Sequence, residues 1–199
     1  FFFQTRNRNL AWKNMESLFE ADLENLSECS RTNYNYALYL HGKYYAEKDR
    51  KKKVDLEENI LKHYRKTQEI TERLLPVYMD HGGALMEFGR REEAKVVFEK
   101  AISLYPDIAA VYVNMGKFYM TSKEYPLAIP YFQKAVEVGK ADSDNYYFLG
   151  LCQFNSNMKD DAIDTFLEGE KYGPDNSGYH ALLARFYNKM GCNEEALQA

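Results

Sequence analysis

Tyr112-Val113-Asn114-Met115-Gly116-Lys117-Phe118-Tyr119 returns 34 residues later as Tyr146-Tyr147-Phe148-Leu149-Gly150-Leu151-Cys152-Gln153. Carried both ways, the same interval gives small residues at Gly82, Gly116, Gly150 and Ala184, which serve as marks. Four residues before each mark stand Tyr78, Tyr112, Tyr146 and His180, and three after stand Leu85, Tyr119, Gln153 and Tyr187. Twelve after come Ala94, Ala128, Ala162 and Ala196, and sixteen after come Phe98, Phe132 and Phe166. Equal intervals at several position classes at once are the signature of an internal repeat.

Each class has a physical reason. A small mark lets a second helix cross closely, where a Cβ branch would hold the backbones apart. The alanines are expected at the matching approach on the second helix. The phenylalanines, four residues further on the same face, are expected to fill the gap between neighbouring hairpins. Pro106 and Pro174 stop one helix and open the next unit, and Lys140 takes that place in the remaining one.

These positions resemble the tetratricopeptide repeat, whose W-x2-L-G-x2-Y…A-x3-F…P pattern has this period. Tyr112, Met115, Gly116, Tyr119, Ala128 and Phe132 match it in one unit, and Tyr146, Leu149, Gly150, Ala162, Phe166 and Pro174 in the next. Tyr replaces the usual Trp, and His81 sits where an aliphatic residue is common. The resemblance implies an all-α fold, the tetratricopeptide-repeat right-handed superhelix, an α-α solenoid. It divides the chain into repeats at 75–108, 109–142 and 143–176, with a truncated one at 177–199.

Upstream, the interval places a mark at Lys48 and fails. Taking Gly42 instead, with Leu38 four before and Tyr45 three after, reads 35–74 as a degenerate repeat. Its second helix keeps the original register at Ile60, Tyr64 and Thr67. The basic run Lys48 to Lys53 is then expected as a solvated insertion in the turn.

Residues 1–34 do not follow the repeat. Leu10, Trp12, Met15, Leu18, Phe19, Leu23 and Leu26 recur at helical spacing and predict an amphipathic capping helix from Leu10 to Leu26. The run Arg6-Asn7-Arg8-Asn9-Leu10-Ala11-Trp12-Lys13, with Ser17-Leu18-Phe19 and Asn33-Tyr34-Asn35-Tyr36-Ala37, is similar to a junction in transmembrane tetratricopeptide proteins. Transmembrane O-mannosyltransferases and bacterial relatives are among them. That resemblance implies a membrane span upstream of Phe1 and extracytoplasmic repeats, in the periplasm or a secretory lumen. The chain opens Phe1-Phe2-Phe3 and is read as a piece of something longer. A free cytoplasmic adaptor is the alternative.

The chain has 199 residues, 45% hydrophobic and 28% charged, which excludes wholesale disorder. A net charge of −4 argues against a nucleic-acid partner. The three cysteines Cys29, Cys152 and Cys192 form no CxxC pair, so neither a disulfide framework nor a zinc site is expected. No phosphate loop, dinucleotide fingerprint, HExxH or G-x-S-x-G element occurs. Asp142-Ser143-Asp144 mimics a glycosyltransferase D-x-D, but between repeats it reads as a turn and helix cap. No catalytic residue, metal or cofactor is expected within the chain.

The expected function is a non-catalytic scaffold for a protein or peptide. Its groove is lined by first helices at Met79, Val113, Asn114, Lys117, Met120, Tyr147, Phe148, Leu151, Phe154 and Arg185. The aromatic third unit suits an amphipathic helix or an extended apolar peptide, unless a fourth unit covers it. The Lys and Asn set with which chaperone-tail binders clamp a terminal carboxylate is not assembled from Asn114, Lys117 and Arg185. A homodimer through the incomplete last hairpin, and a substrate-presenting role beside a membrane glycosyltransferase domain, are the other readings.

Overall fold

The structure, a computed structural model, describes residues 15–139, 142–173 and 177–190. Among the described residues it is all-α, with ten helices and no strand. They are α1 (Met15–Leu26), α2 (Ser30–Ala46), α3 (Arg50–Ile70), α4 (Leu75–Glu87) and α5 (Arg91–Leu104). Then come α6 (Ala109–Thr121), α7 (Tyr125–Val138), α8 (Ser143–Asn155), α9 (Lys159–Glu170) and α10 (Ser177–Met190). The chain forms two compact units, one ending at Lys100 and the other beginning at Ala101.

In unit 1, α2 pairs with α3, α3 packs on α4, and α1 lies against α2. In unit 2, α6 pairs with α7 and α8 with α9, and α7 packs on α8. The hairpins that follow α3 are tied by their mark glycines, Gly82, Gly116 and Gly150. A Cβ on Gly116 would fall 2.6 Å from Phe132 Cζ, and one on Gly150 2.8 Å from Phe166 Cζ. On Gly82 it would run into Phe98 in the same way. The phenylalanines therefore sit first on the glycine of their own hairpin, and the expected close approach is ring against backbone. Ala94, Ala128 and Ala162 are fully buried beside them.

The hairpin turns share one geometry. Gly89, Lys123 and Asn157, each seven residues after its mark, have φ of 75°, 59° and 65°. The next residue's N–H returns to the carbonyl three after the mark, at 2.8 Å from Arg90, 3.0 Å from Glu124 and 2.9 Å from Met158. This left-handed closure satisfies the orphan carbonyls at each helix end.

Tyrosine in place of tryptophan gains a hydroxyl that the fold uses. Tyr78 donates to the Glu72 carbonyl and Tyr112 to the Pro106 carbonyl, both at 2.9 Å and six residues back. The same tie corrects the register of α2. There Asn33 donates to the Ser27 carbonyl at 2.7 Å, and Asn33, Ala37 and Leu40 are the buried residues. Ala37, not Gly42, is the mark of this hairpin. Gly42 has nothing within 4 Å of a built Cβ, while Leu38 and Tyr45 are exposed. On α3, Ile60, Tyr64 and Thr67 are fully buried.

The basic run is not a turn either. Asp49 caps α3 by accepting from the Lys51 and Lys52 N–H groups at 2.8 and 3.2 Å, so Arg50 to Lys53 form the first helical turn. α3 spans 21 residues where α5 spans 14, so the extra chain is taken up in a longer helix. Asp142 likewise caps α8, accepting from the Asp144 N–H at 3.0 Å. Leu10, Trp12, the Arg6–Lys13 motif, Cys192 and Ala196 lie outside the described residues.

Candidate functional site

In unit 2 the first helices of the hairpins, α6 and α8, bring most of the predicted groove residues together. Val113, Asn114 and Met120 on α6 are half-buried, as are Tyr147, Phe148, Leu151 and Phe154 on α8. Val113, Met120 and Phe148 pack on the core of Ala128, Phe132, Leu149 and Cys152. The Phe148 ring stacks on Phe132 with centroids 5.4 Å apart. Above it, the Lys117 ammonium lies 4.6 Å from the ring centroid, a cation-π contact between α6 and α8. Asn114 Nδ2 donates to the Ala110 carbonyl of its own helix at 2.9 Å.

The aromatic surface is narrower than the sequence suggests. Phe154 meets Phe186 of α10 edge-on at 4.8 Å, and Tyr147 and Phe154 pack on the cluster of Ala162, Phe166, Leu183, Phe186 and Tyr187. The fourth unit thus engages its far end. Phe148 and Leu151 stay partly accessible, with Lys117 over the Phe148 ring and Val113 and Met120 on the same core cluster as Phe148. Arg185 falls on α10, with its side chain outside those described. Burial pushes the Cys152 thiol up to about 12, so it stays protonated and inert in the core.

Met79, the predicted member in unit 1, is half-buried and lines a different cleft with Asp80 and Glu87. The opposite wall comes from Leu38, His41 and Tyr45 of α2. Sequence reasoning missed those residues because the Gly42 register turned α2 the wrong way. The i, i+4, i+7 spacing of Asn33, Ala37 and Leu40 was the signal that could have found them. Among the described residues no group of three His, Cys, Asp or Glu is placed to hold a metal, and no helix is long and apolar enough to cross a membrane.

Antiparallel helix hairpins repeating every 34 residues, with a glycine seated on a phenylalanine and a left-handed closing turn, define a helical-repeat scaffold. Two family models, both described as Tetratricopeptide repeat, match residues 75–108 and 120–186, together about half of the chain. The chain belongs to the tetratricopeptide-repeat family.

Human Tetratricopeptide repeat protein 13 is 30% identical over 111 residues, 56% of this chain and 13% of that one. Hsp70-Hsp90 organizing protein 1 of Glycine max is 25% identical over 157 residues, 77% of this chain and 27% of that one. The chain therefore spans only a small part of the curated relatives it matches. Among solved structures, Pseudomonas aeruginosa pilF superposes with a TM-score of 0.67 at 19% identity, covering 99% of this chain and 83% of that one. YrrB, described as a TPR protein with an unusual peptide-binding site, gives 0.60 at 24% identity, covering 90% and 87%. MamA of Desulfovibrio magneticus RS-1 gives 0.64 at 20%, covering 85% and 89%. At these identities the superpositions show the fold alone.

Proposed function

We propose that this chain is a non-catalytic scaffold that holds an apolar stretch of a protein or peptide on the inner faces of α6 and α8. The observation that carries the proposal is Phe148. It is a large aromatic that stays only partly buried on a first helix, on the same helix as Leu151 and with Lys117 across the gap. A ring needed only for packing is usually buried fully, as Phe132 and Phe166 are. The peptide-binding site named for YrrB and the organizing role named for the Glycine max relative lend support by family likeness. Lys117 adds a charge for a carboxylate or carbonyl flanking the apolar stretch.

The proposal extends to a membrane-anchored, extracytoplasmic setting on the likeness of the Arg6–Lys13 and Ser17-Leu18-Phe19 motifs. The test of the binding surface is Phe148→Glu. A panel of fluorescein-labelled apolar and amphipathic peptides is titrated against wild type and variant, with helicity followed by circular dichroism. Loss of binding with unchanged helicity supports the proposal. Unaltered affinities, or no peptide of the panel binding wild type, would remove that surface.

A further inference from the structure

Unit 1 holds a cleft of quite different chemistry, about 300 Å³ in volume, between α2 and α4. Two carboxylates of α4 line it, Asp80 and Glu87. Tyr34 donates to Asp80 Oδ2 at 2.6 Å and Tyr45 to Glu87 Oε2 at 2.8 Å, which orients both groups. Among the described residues neither has a Lys or Arg within ion-pair distance; the ion-pair partner found there is His41, 3.0 Å from Glu87. Two negative charges on one helix face, seven residues or about two turns apart, are thus left without a Lys or Arg partner among the described residues.

A second observation points the same way. Tyr64 of α3 lines this cleft and is fully buried, and its hydroxyl has no hydrogen-bond partner among the described residues. A buried orphan hydroxyl is rare and calls for an explanation. Its ring lies 6.3 Å from that of Tyr34, whose hydroxyl holds Asp80. Space for a ligand is present, since a Cβ on Gly83 would meet nothing within 4 Å. The walls suit a cation with an apolar stem. His41 and Tyr45 stack at 5.2 Å and 11°, offering an aromatic face, and Leu38 and Met79 provide apolar contact.

We propose that this cleft binds a single organic cation, the guanidinium or ammonium of an arginine or lysine side chain. Asp80 and Glu87 would take its charge, and the Tyr64 hydroxyl would accept one of its N–H groups. An anion is repelled by the same carboxylates. A divalent metal is not favoured: His41 lies beside Glu87, but among the described residues no group of three His, Cys, Asp or Glu is placed to hold one. That the cation belongs to a peptide rests on the peptide-binding role proposed above; the preference for a cation does not.

The experiment uses labelled Gly-Ala peptides with one central Arg, Lys, norleucine or Glu, titrated by fluorescence polarisation at low salt, with methylguanidinium as a competitor. The Arg and Lys peptides are expected to bind, and the norleucine and Glu peptides to bind at least about tenfold more weakly. Asp80→Asn and Glu87→Gln should each cost about tenfold, the loss of one charge-assisted hydrogen bond. Tyr64→Phe should weaken the Arg peptide while leaving the helical signal and thermal midpoint no lower. Phe148→Glu should leave these affinities unchanged, which separates this site from the aromatic surface of unit 2. Equal binding of Arg and norleucine peptides, no binding at millimolar protein, or an Arg affinity indifferent to both acidic variants would overturn the site. Methylguanidinium binding as tightly as the Arg peptide would keep the cation site and overturn the peptide as its source.

Discussion

Replacing Gly82 and Gly83 by alanine, one at a time, puts the same methyl on consecutive residues of the same helix, pointing to different faces, and should move stability differently. Alanine is about 1 kcal/mol better than glycine inside a helix. At Gly83 nothing lies within 4 Å of the new Cβ, so that gain is kept. At Gly82 the Cβ would sit 2.6 Å from Phe98 Cζ and 2.8 Å from Cδ1, with Cε1 nearer still. Carbon atoms rest at about 3.5–4.0 Å, so the ring must retreat by about 1 Å. Phe98 is 3% exposed and has little room for that. Overpacking of this kind costs about 1–3 kcal/mol, which cancels or exceeds the helix gain. Guanidinium denaturation followed by far-ultraviolet circular dichroism should raise the midpoint for Gly83→Ala and lower or hold it for Gly82→Ala, a separation of about 1–3 kcal/mol. Adding Phe98→Leu to Gly82→Ala should recover part of the helix gain that the ring opposed. Two alanines that stabilise equally would refute the seating of phenylalanine on the mark, and with it the account of every hairpin in the chain.

The left-handed turn at Lys123 offers a gain, since a non-glycine residue there strains the backbone by about 1–2 kcal/mol. Lys123→Gly should raise the midpoint by about 1 kcal/mol after its own unfolded-state entropy is set against that relief, and Gly89→Ala should lower it. Acid should weaken unit 1 through two histidines, because burial holds both His63 and His81 down to about 4, below the ordinary 6.5. The unfolded chain binds their protons first, so stability is intact above about pH 6.5 and is lost as pH falls towards 4. His81, 3% exposed, should contribute a loss of roughly 2 kcal/mol between pH 7 and 5, and the more accessible His63 less. His81→Leu places the residue that Leu149 supplies at the matching position of a later repeat, and should flatten that pH dependence. An unchanged slope would sink the assignment.

The three later hairpins were legible because their signal is local and repeated. A glycine, an alanine and a phenylalanine at offsets of zero, twelve and sixteen state the same packing constraint each time. The α2–α3 hairpin states it once and with different residues. Asn33 stands for the tyrosine, Ala37 for the glycine and Tyr64 for the phenylalanine, with 45 residues from Ala37 to Gly82 in place of 34. A mark chosen for being glycine therefore landed on the exposed face. The basic run looked like a loop because lysines are poor company for a helix N-terminus; the Asp49 cap offsets that locally.

By itself, then, the sequence determined the helical-repeat class and the hairpin spacing, and predicted an inner face for unit 2, because helix periodicity and a fixed repeat convert position into direction. Only the tertiary structure decided how much of that inner face is open. Phe154 is engaged by Phe186, 32 residues later, and the Phe148 ring meets the ammonium of Lys117, 31 residues earlier. It alone also assembled the acidic cleft, where Tyr34 meets Asp80 across 46 residues and Tyr45 meets Glu87 across 42. Those pairings depend on the axial slide between neighbouring hairpins. That slide is set by summed side-chain packing along two helices, and no short motif encodes it.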